Sequence, residues 1–406
     1  MDTSRHTLKM CSSEGISLCD ICFGFYIFVQ ICCSSSFLAE LSLILFVLSV
    51  MYSCRHVKFS IFTVCEIIFI FYHIIHLLFG ITVVKGVAWQ DFFRVLCVCV
   101  VNFCVYNYIL KEDNINKILD VYIFSALLAF LILLLFYGTD LGLRAGAEDY
   151  TIGFLGIVID GGVATRVGMG SAIAFFVSFF RYYKKNNMYL WFCSIVFMLA
   201  TFFSGTRKVL LIVAAAVFFV PLAKERKVTK KTGYLIAALV VFVIAYEIVI
   251  NVPIFYETVG RRLLSLINHL QNGSQDRSAQ TRFRLLREAQ NAFNQRPIWG
   301  WGLENFRQLF DGRLHCHNNF WEMLVSGGVV GFVLFYIKYI FLYFTFWKYK
   351  KRFGRLDFLQ VCLLVLIVSM TILEYWQRTY NQLAISIVYM IVFAFMKLPP
   401  KNSKLV

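Results

Sequence analysis

Between Arg296 and Gly331 the chain reads RPIWGWGLENF, a short spacer, and then HCHNNFWEMLVSGGVVG. Two histidines, His315 and His317, stand one residue apart where a polar segment meets an apolar run. A histidine in such a place suits general-base work, because its imidazole titrates near working pH. Asn318 and Asn319 follow directly, with amides able to orient an imidazole or a sugar hydroxyl. His317 is the first candidate base and His315 the second. Zinc would require two further ligands, and the segment offers only Cys316 and no HExxH pair. Gly300 and Gly302 are too few for a dinucleotide fingerprint, and no GxxxxGK[ST] phosphate loop is present.

Arginines accompany these histidines. From Asn251 to Asn318 there are nine arginines and no lysine: Arg261, Arg262, Arg277, Arg282, Arg284, Arg287, Arg296, Arg307 and Arg313. Five acids accompany them, Glu257, Asp276, Glu288, Glu304 and Asp311. A guanidinium fork grips phosphate through two bonds at once, which an ammonium does not. The enrichment points to an anion, either a phosphorylated ligand or lipid head groups. Residues 279–294 predict an amphipathic helix capped by Ser278. At 100° per residue its apolar stripe is Leu286, Ala289 and Phe293, and Arg282 falls on that stripe. Arg284 and Arg287 fall on other faces. A charge aimed at the packed side demands a partner, an acid of the protein or a phosphate.

Arg207 makes a similar case. It lies in SGTRK, Ser204 to Lys208, between two apolar runs, where ionisable residues are functional candidates. Snorkelling to the interface is the alternative and suits Lys208 better. Arg166 and Asp160 are placed to pair with each other. Glu66, His73 and His76 share roughly one face and read as satisfied buried groups. Cys19-x-x-Cys22 has no second pair, so no metal or redox role is expected.

The elements that must position these residues are apolar. Of the 406 residues, 60% are hydrophobic, and mean hydropathy is +0.71. That composition excludes a water-soluble fold. The apolar residues come in runs long enough to cross ~30 Å of hydrocarbon as helices. Twelve spans are expected, at 16–34, 37–53, 60–80, 92–110, 119–137, 160–180, 188–203, 207–223, 233–250, 319–346, 357–373 and 382–396. The fold class is therefore an all-α polytopic membrane protein. No cleavable signal peptide is evident, so the first span is expected to stay in place.

The net charge of +16 lies mostly in short loops between spans, which speaks for topology rather than nucleic acid. The lysine-rich loops alternate with the spans, from Arg55 and Lys58 to Lys224–Lys231 and Lys348–Arg355. The positive-inside bias makes that side cytoplasmic, both termini included. Segments 138–155, 251–318 and 374–381 then lie outside. Three regions result: 1–250 with nine spans, 251–318 as an outer catalytic loop containing amphipathic helices, and 319–406 with three spans and a tail.

These residues resemble the O-antigen ligase and Wzy-type polysaccharide polymerase family. RPIWGWGLENF, HCHN and the Gly-rich turn into a span match its signature. So do Arg282, fifteen residues before Pro297, and SGTR at Ser204–Arg207. Motif-level likeness covers about 200–335, and earlier spans match in hydropathy alone. Leu286 departs, since an aromatic is common there, which touches helix packing. The resemblance implies a GT-C-like glycosyltransferase in the bacterial inner membrane, using neither metal nor cofactor. Its donor is a glycan on undecaprenyl pyrophosphate in the outer leaflet. Direct displacement would invert the anomeric centre.

In that chemistry Arg207 and Arg282 hold the pyrophosphate and stabilise its growing charge, and His317 deprotonates the acceptor hydroxyl. His315, Asn318, Arg284, Arg296 and Arg166 are the expected substrate-binding residues. Partners implied are the lipid-linked oligosaccharide, membrane lipid and a chain-length regulator, with no nucleic acid. As a polymerase of O-antigen or capsule, the chain would use a second lipid-linked repeat unit as acceptor. As a ligase, it would use the lipid A core of lipopolysaccharide. A flippase for the same lipid is the alternative of another class, and it would more often show repeats or helices broken at the midplane.

Overall fold

The computed structural model describes residues 15–33, 36–137, 151–152, 157–158, 161–204, 206–225, 227–253, 256, 260, 264, 277–310 and 315–398. Asp160 and the N-cap candidate's neighbours at 265–276 lie outside them. Among the described residues the chain is helical, apart from one two-residue antiparallel pairing of Thr151–Ile152 with Ile157–Val158.

Nine helices precede the polar segment: α1 (Leu18–Cys32), α2 (Ser36–Ser53), α3 (Ile61–Leu78), α4 (Lys85–Glu112), α5 (Ile115–Tyr137), α6 (Gly161–Lys185), α7 (Met188–Phe203), α8 (Leu210–Lys224) and α9 (Val228–Asn251). Then come α10 (Arg277–Gln295), the short α11 (Asn305–Phe310), α12 (Asn319–Phe353), α13 (Phe358–Leu373) and α14 (Leu383–Lys397). Each of the twelve expected spans coincides with one helix. Five of them, α3, α4, α5, α9 and α12, are long and apolar enough to cross a membrane. Six more are apolar but shorter. The exterior agrees with a lipid solvent: along α9, Leu235, Ile236, Leu239, Val240, Phe242 and Val243 all face outward. An aqueous surface does not carry such a patch. Phe23, Tyr26, Phe62, Phe176, Phe180, Phe197 and Tyr389 fill the interior.

The contacts between loops sort by side. At one end, Arg166 reaches the carbonyl of Cys33, Val83 bonds Trp301, and Asn319 bonds Thr379. At the other end, Lys58 bonds Asn107, Lys117 bonds Asp20, and Lys224 bonds the carbonyl of Tyr183. Each pair joins segments that the lysine pattern assigns to one face.

Polar groups within the bundle are partly paired. Glu66 accepts from Lys338 at 3.0 Å and from Asn102 at 2.7 Å. Asp120 takes both arms of Arg181. The expectation that His73 and His76 are satisfied needs correction. His76 has neither ring nitrogen bonded within the protein, and His73 lacks a partner at Nε2. Their rings pack against Tyr72 and each other instead.

Candidate functional site

The RPIWGWG turn docks into a break in a helix. Gly328, ten residues into α12, has φ 63° and ψ −165°, so the helical hydrogen bonds fail there. Backbone groups left bare at membrane depth are costly. The turn takes them up: Trp301 and Gly302 donate to the carbonyls of Val325 and Ser326 at 2.8 Å, and Val329 donates to Pro297 at 2.8 Å. Tyr72 donates to the carbonyls of Trp299 and Gly327. Gly300, at φ 74°, lies so close that a Cβ would stand 2.5 Å from the amide nitrogen of Gly328. These glycines serve backbone approach rather than nucleotide binding.

A second, smaller core sits above this joint. Leu285, Ala289 and Ala292 of α10 pack with Phe306, Cys316 and Val325. Because Cys316 points into that core, its two neighbours flank it. His315 places Nδ1 3.3 Å from Glu304 Oε1. His317 is exposed, in a left-handed conformation at φ 55°. Glu304 is left-handed too, at φ 59°. Non-glycine residues seldom adopt that region, and they persist there where surroundings enforce it.

Arg282 corrects the helix reading. The first buried residue of α10 is Leu285, while Leu286 and Phe293 are half-buried. Arg282 lies one turn earlier and is exposed, with no hydrogen bond or ion pair among the described residues. At Arg282 itself the side chain faces outward, so a charge on the nominal stripe keeps its water. Arg282 nevertheless faces His317. Burial first, then the charges of Arg282, Lys208 and Arg378, hold the His317 imidazole down to about 4. The residue is open on one side, but enough protein crowds the ring to disfavour its charged form. His315 is held down to about 3 by burial, then by Arg378, Arg307, His317 and Arg94. Both rings are neutral at physiological pH.

The remaining candidates are placed as follows. Asn318 caps α12, accepting from the amide of Trp321 at 3.1 Å, and is buried. Its amide is therefore engaged in the helix start. Arg296 donates to the carbonyl of Ile81 at 3.0 Å and stacks 4.2 Å over Trp301, which ties α10 to the α3–α4 loop. Arg166 donates to Cys33 at 3.0 Å near the outer end of α6. Arg284 is exposed on α10. Arg207 opens a 3-10 turn, Arg207–Val209, beside which Gly168 of α6 touches Ser204 and Thr206. Its side chain lies outside the described ones. Among the described residues no three His, Cys, Asp or Glu converge as metal ligands would.

Sequence reasoning missed the α13–α14 loop. Arg378, with 14% of its side chain exposed, pairs closely with Glu304. Asn319 holds that loop in place: its Oδ1 accepts from Thr379 and Tyr380, and its Nδ2 donates to Glu374 and Tyr336. Tyr380 and Asn381 both donate to Asp91 of α4. The available signal was a lone arginine in EYWQRTYNQ, the loop between the last two apolar runs.

These features describe an apolar helical bundle of membrane-protein type, in which arginines gather about two histidines. Residues 192–336 match the Wzy_C family model, described as O-Antigen ligase. The matched segment runs from α7 through the first half of α12 and includes the motifs that carry the resemblance. No curated protein matches the sequence.

Proposed function

We propose that this protein is a glycosyltransferase that moves a glycan from a polyprenyl pyrophosphate to an acceptor hydroxyl at the outer leaflet of the bacterial inner membrane. The observation that carries the reading is the exposed His317 at the start of α12, beside His315 and the Glu304–Arg378 pair, where the charges of Arg282, Lys208 and Arg378 also act. A lipid diphosphate brings its own leaving group, so no nucleotide is required. The cations hold the diphosphate and take up charge as the bond breaks, and the neutral imidazole accepts the acceptor's proton. Displacement in one step inverts the anomeric centre and needs no metal. Arg207 joins the clamp from the 3-10 turn beside Lys208. GT-C-like architecture, twelve spans and cytoplasmic termini belong to the same proposal.

The acceptor we propose is a second lipid-linked repeat unit, which makes the chain a polymerase, because one substrate class then serves both roles. The description of the matched model favours a ligase acting on lipid A core. A flippase fits less well, because the break at Gly328 is filled by the RPIWGWG turn instead of lining a midplane site. Purified protein given a synthetic lipid-pyrophosphate repeat unit alone should build a ladder. Transfer only when lipid A core is added would make it a ligase. Movement of the lipid across vesicles without any transfer would make it a flippase.

A further inference from the structure

We infer that Arg378 is a diphosphate-binding arginine that Glu304 holds ready, with the Glu304 carboxylate competing for the guanidinium the substrate takes. This rests on the lipid-diphosphate reading above and extends it beyond the family-matched segment, which ends at residue 336.

Three observations converge. First, the Arg378–Glu304 pair ties the α13–α14 loop to the residue just before α11, beside the two histidines. Both side chains are largely covered, at 14% and 4% exposed, yet Arg378 acts electrostatically on His315 and on His317. Second, Glu304 is oversubscribed. It accepts from Arg378 and from Arg307 at 3.3 Å, with the neutral His315 ring 3.3 Å away, on a left-handed backbone. A carboxylate gathering two arginines occupies the position a phosphate oxygen would take. Third, Arg378 is one of several cations that act on the histidines: Arg307 and Arg94 join it at His315, and Arg282 and Lys208 join it at His317.

The loop carrying Arg378 is also built for precision. Asn319 anchors it through two backbone amides, and Gln382 donates to the carbonyl of Arg378 at 2.5 Å. Asn319 follows the H-x-H-N run directly, so one turn of α12 fixes both the candidate base and the arginine.

The competition sets a sign that a scaffold would not show. Full-length protein in detergent is titrated with inorganic pyrophosphate and with farnesyl diphosphate, and binding is read by calorimetry. Thermal melting checks that each variant is folded. Glu304→Gln should bind both probes several-fold tighter than wild type. Arg378→Ala should bind about tenfold weaker or worse, the equivalent of about 1.4 kcal/mol. Arg378→Lys should restore part of that loss, because charge survives while the fork does not. The double variant should match Arg378→Ala, since Glu304 then has nothing to withhold. Farnesyl diphosphate binding more tightly than pyrophosphate supports a lipid-borne ligand.

Folded Glu304→Gln that binds more weakly, or folded Arg378→Ala that binds like wild type, overturns this inference alone. Wild type that binds neither probe overturns it together with the lipid-diphosphate reading.

Discussion

Gly328 and Ile298 share a space that admits no side chain: a Cβ on Gly328 would collide with the Ile298 carbonyl and stand 2.7 Å from the amide nitrogen of Trp299. The outer loop is joined to its helix by that contact. Gly328→Ala should therefore unseat the RPIWGWG turn and, with it, the histidines above. Protein level and melting temperature should both drop, and activity should be lost. Gly354 is the control, because it has φ 76° but open space around it. Gly354→Ala should carry only the left-handed penalty of about 1–2 kcal/mol. Equal melting temperatures for the two variants would contradict the joint.

The two asparagines after His317 should separate by substitution. Asn318→Ser retains an N-cap oxygen and should keep most activity and stability. Asn319→Ala strips two buried backbone amides of their acceptor, at about 1–3 kcal/mol each. It should lower the melting temperature and raise KM for the donor as Arg378 loosens. Inactive but folded Asn318→Ser would instead place that amide on the substrate.

The acid limb of the rate is set by His317. Its neutral form is the active one, and a pKa held down to about 4 keeps it neutral well below the ordinary 6.5. So kcat/KM, which reports free enzyme, should stay level through mild acid and fall only near pH 4. A bound diphosphate offsets the three cations, raises the pKa, and moves the acid limb of kcat to higher pH. Arg282→Gln removes one cation and should raise the pKa of His317, read by NMR titration of the imidazole because the variant is expected to be inactive. A wild-type kcat/KM limb at 6.5, with a His317 pKa that ignores Arg282→Gln, would remove the cations from His317.

Much of the helical frame was legible because apolar runs of span length have one outcome in a bilayer. Helix ends were less so: α4 and α12 extend several residues past their apolar runs, where polar residues such as Asp91 and Lys350 continue the same hydrogen bonding. At the site, His315, His317 and Arg282 were singled out by residue type and spacing. The exposure of Arg282 was hidden, because periodicity tells which face a residue occupies and not where the packing partner stops. Glu304–Arg378 was hidden for another reason, since the partners are 74 residues apart and meet only when separate spans assemble. Asn318 and Asn319 looked chemical for lack of any sign that a cap and a loop clamp were needed there.

General-base transfer from a lipid diphosphate is tested most directly on a gel. Purified wild type, His317→Gln and Arg282→Lys are given a synthetic polyprenyl-pyrophosphate oligosaccharide, with and without EDTA, and product ladders are compared. Wild type should give the same ladder in EDTA. His317→Gln should bind donor but lose ~10²–10⁴-fold in rate. Arg282→Lys should fail as well, because a point charge does not replace the fork. A strong ladder from His317→Gln, or a wild-type ladder erased by EDTA and restored by a divalent ion, would contradict it.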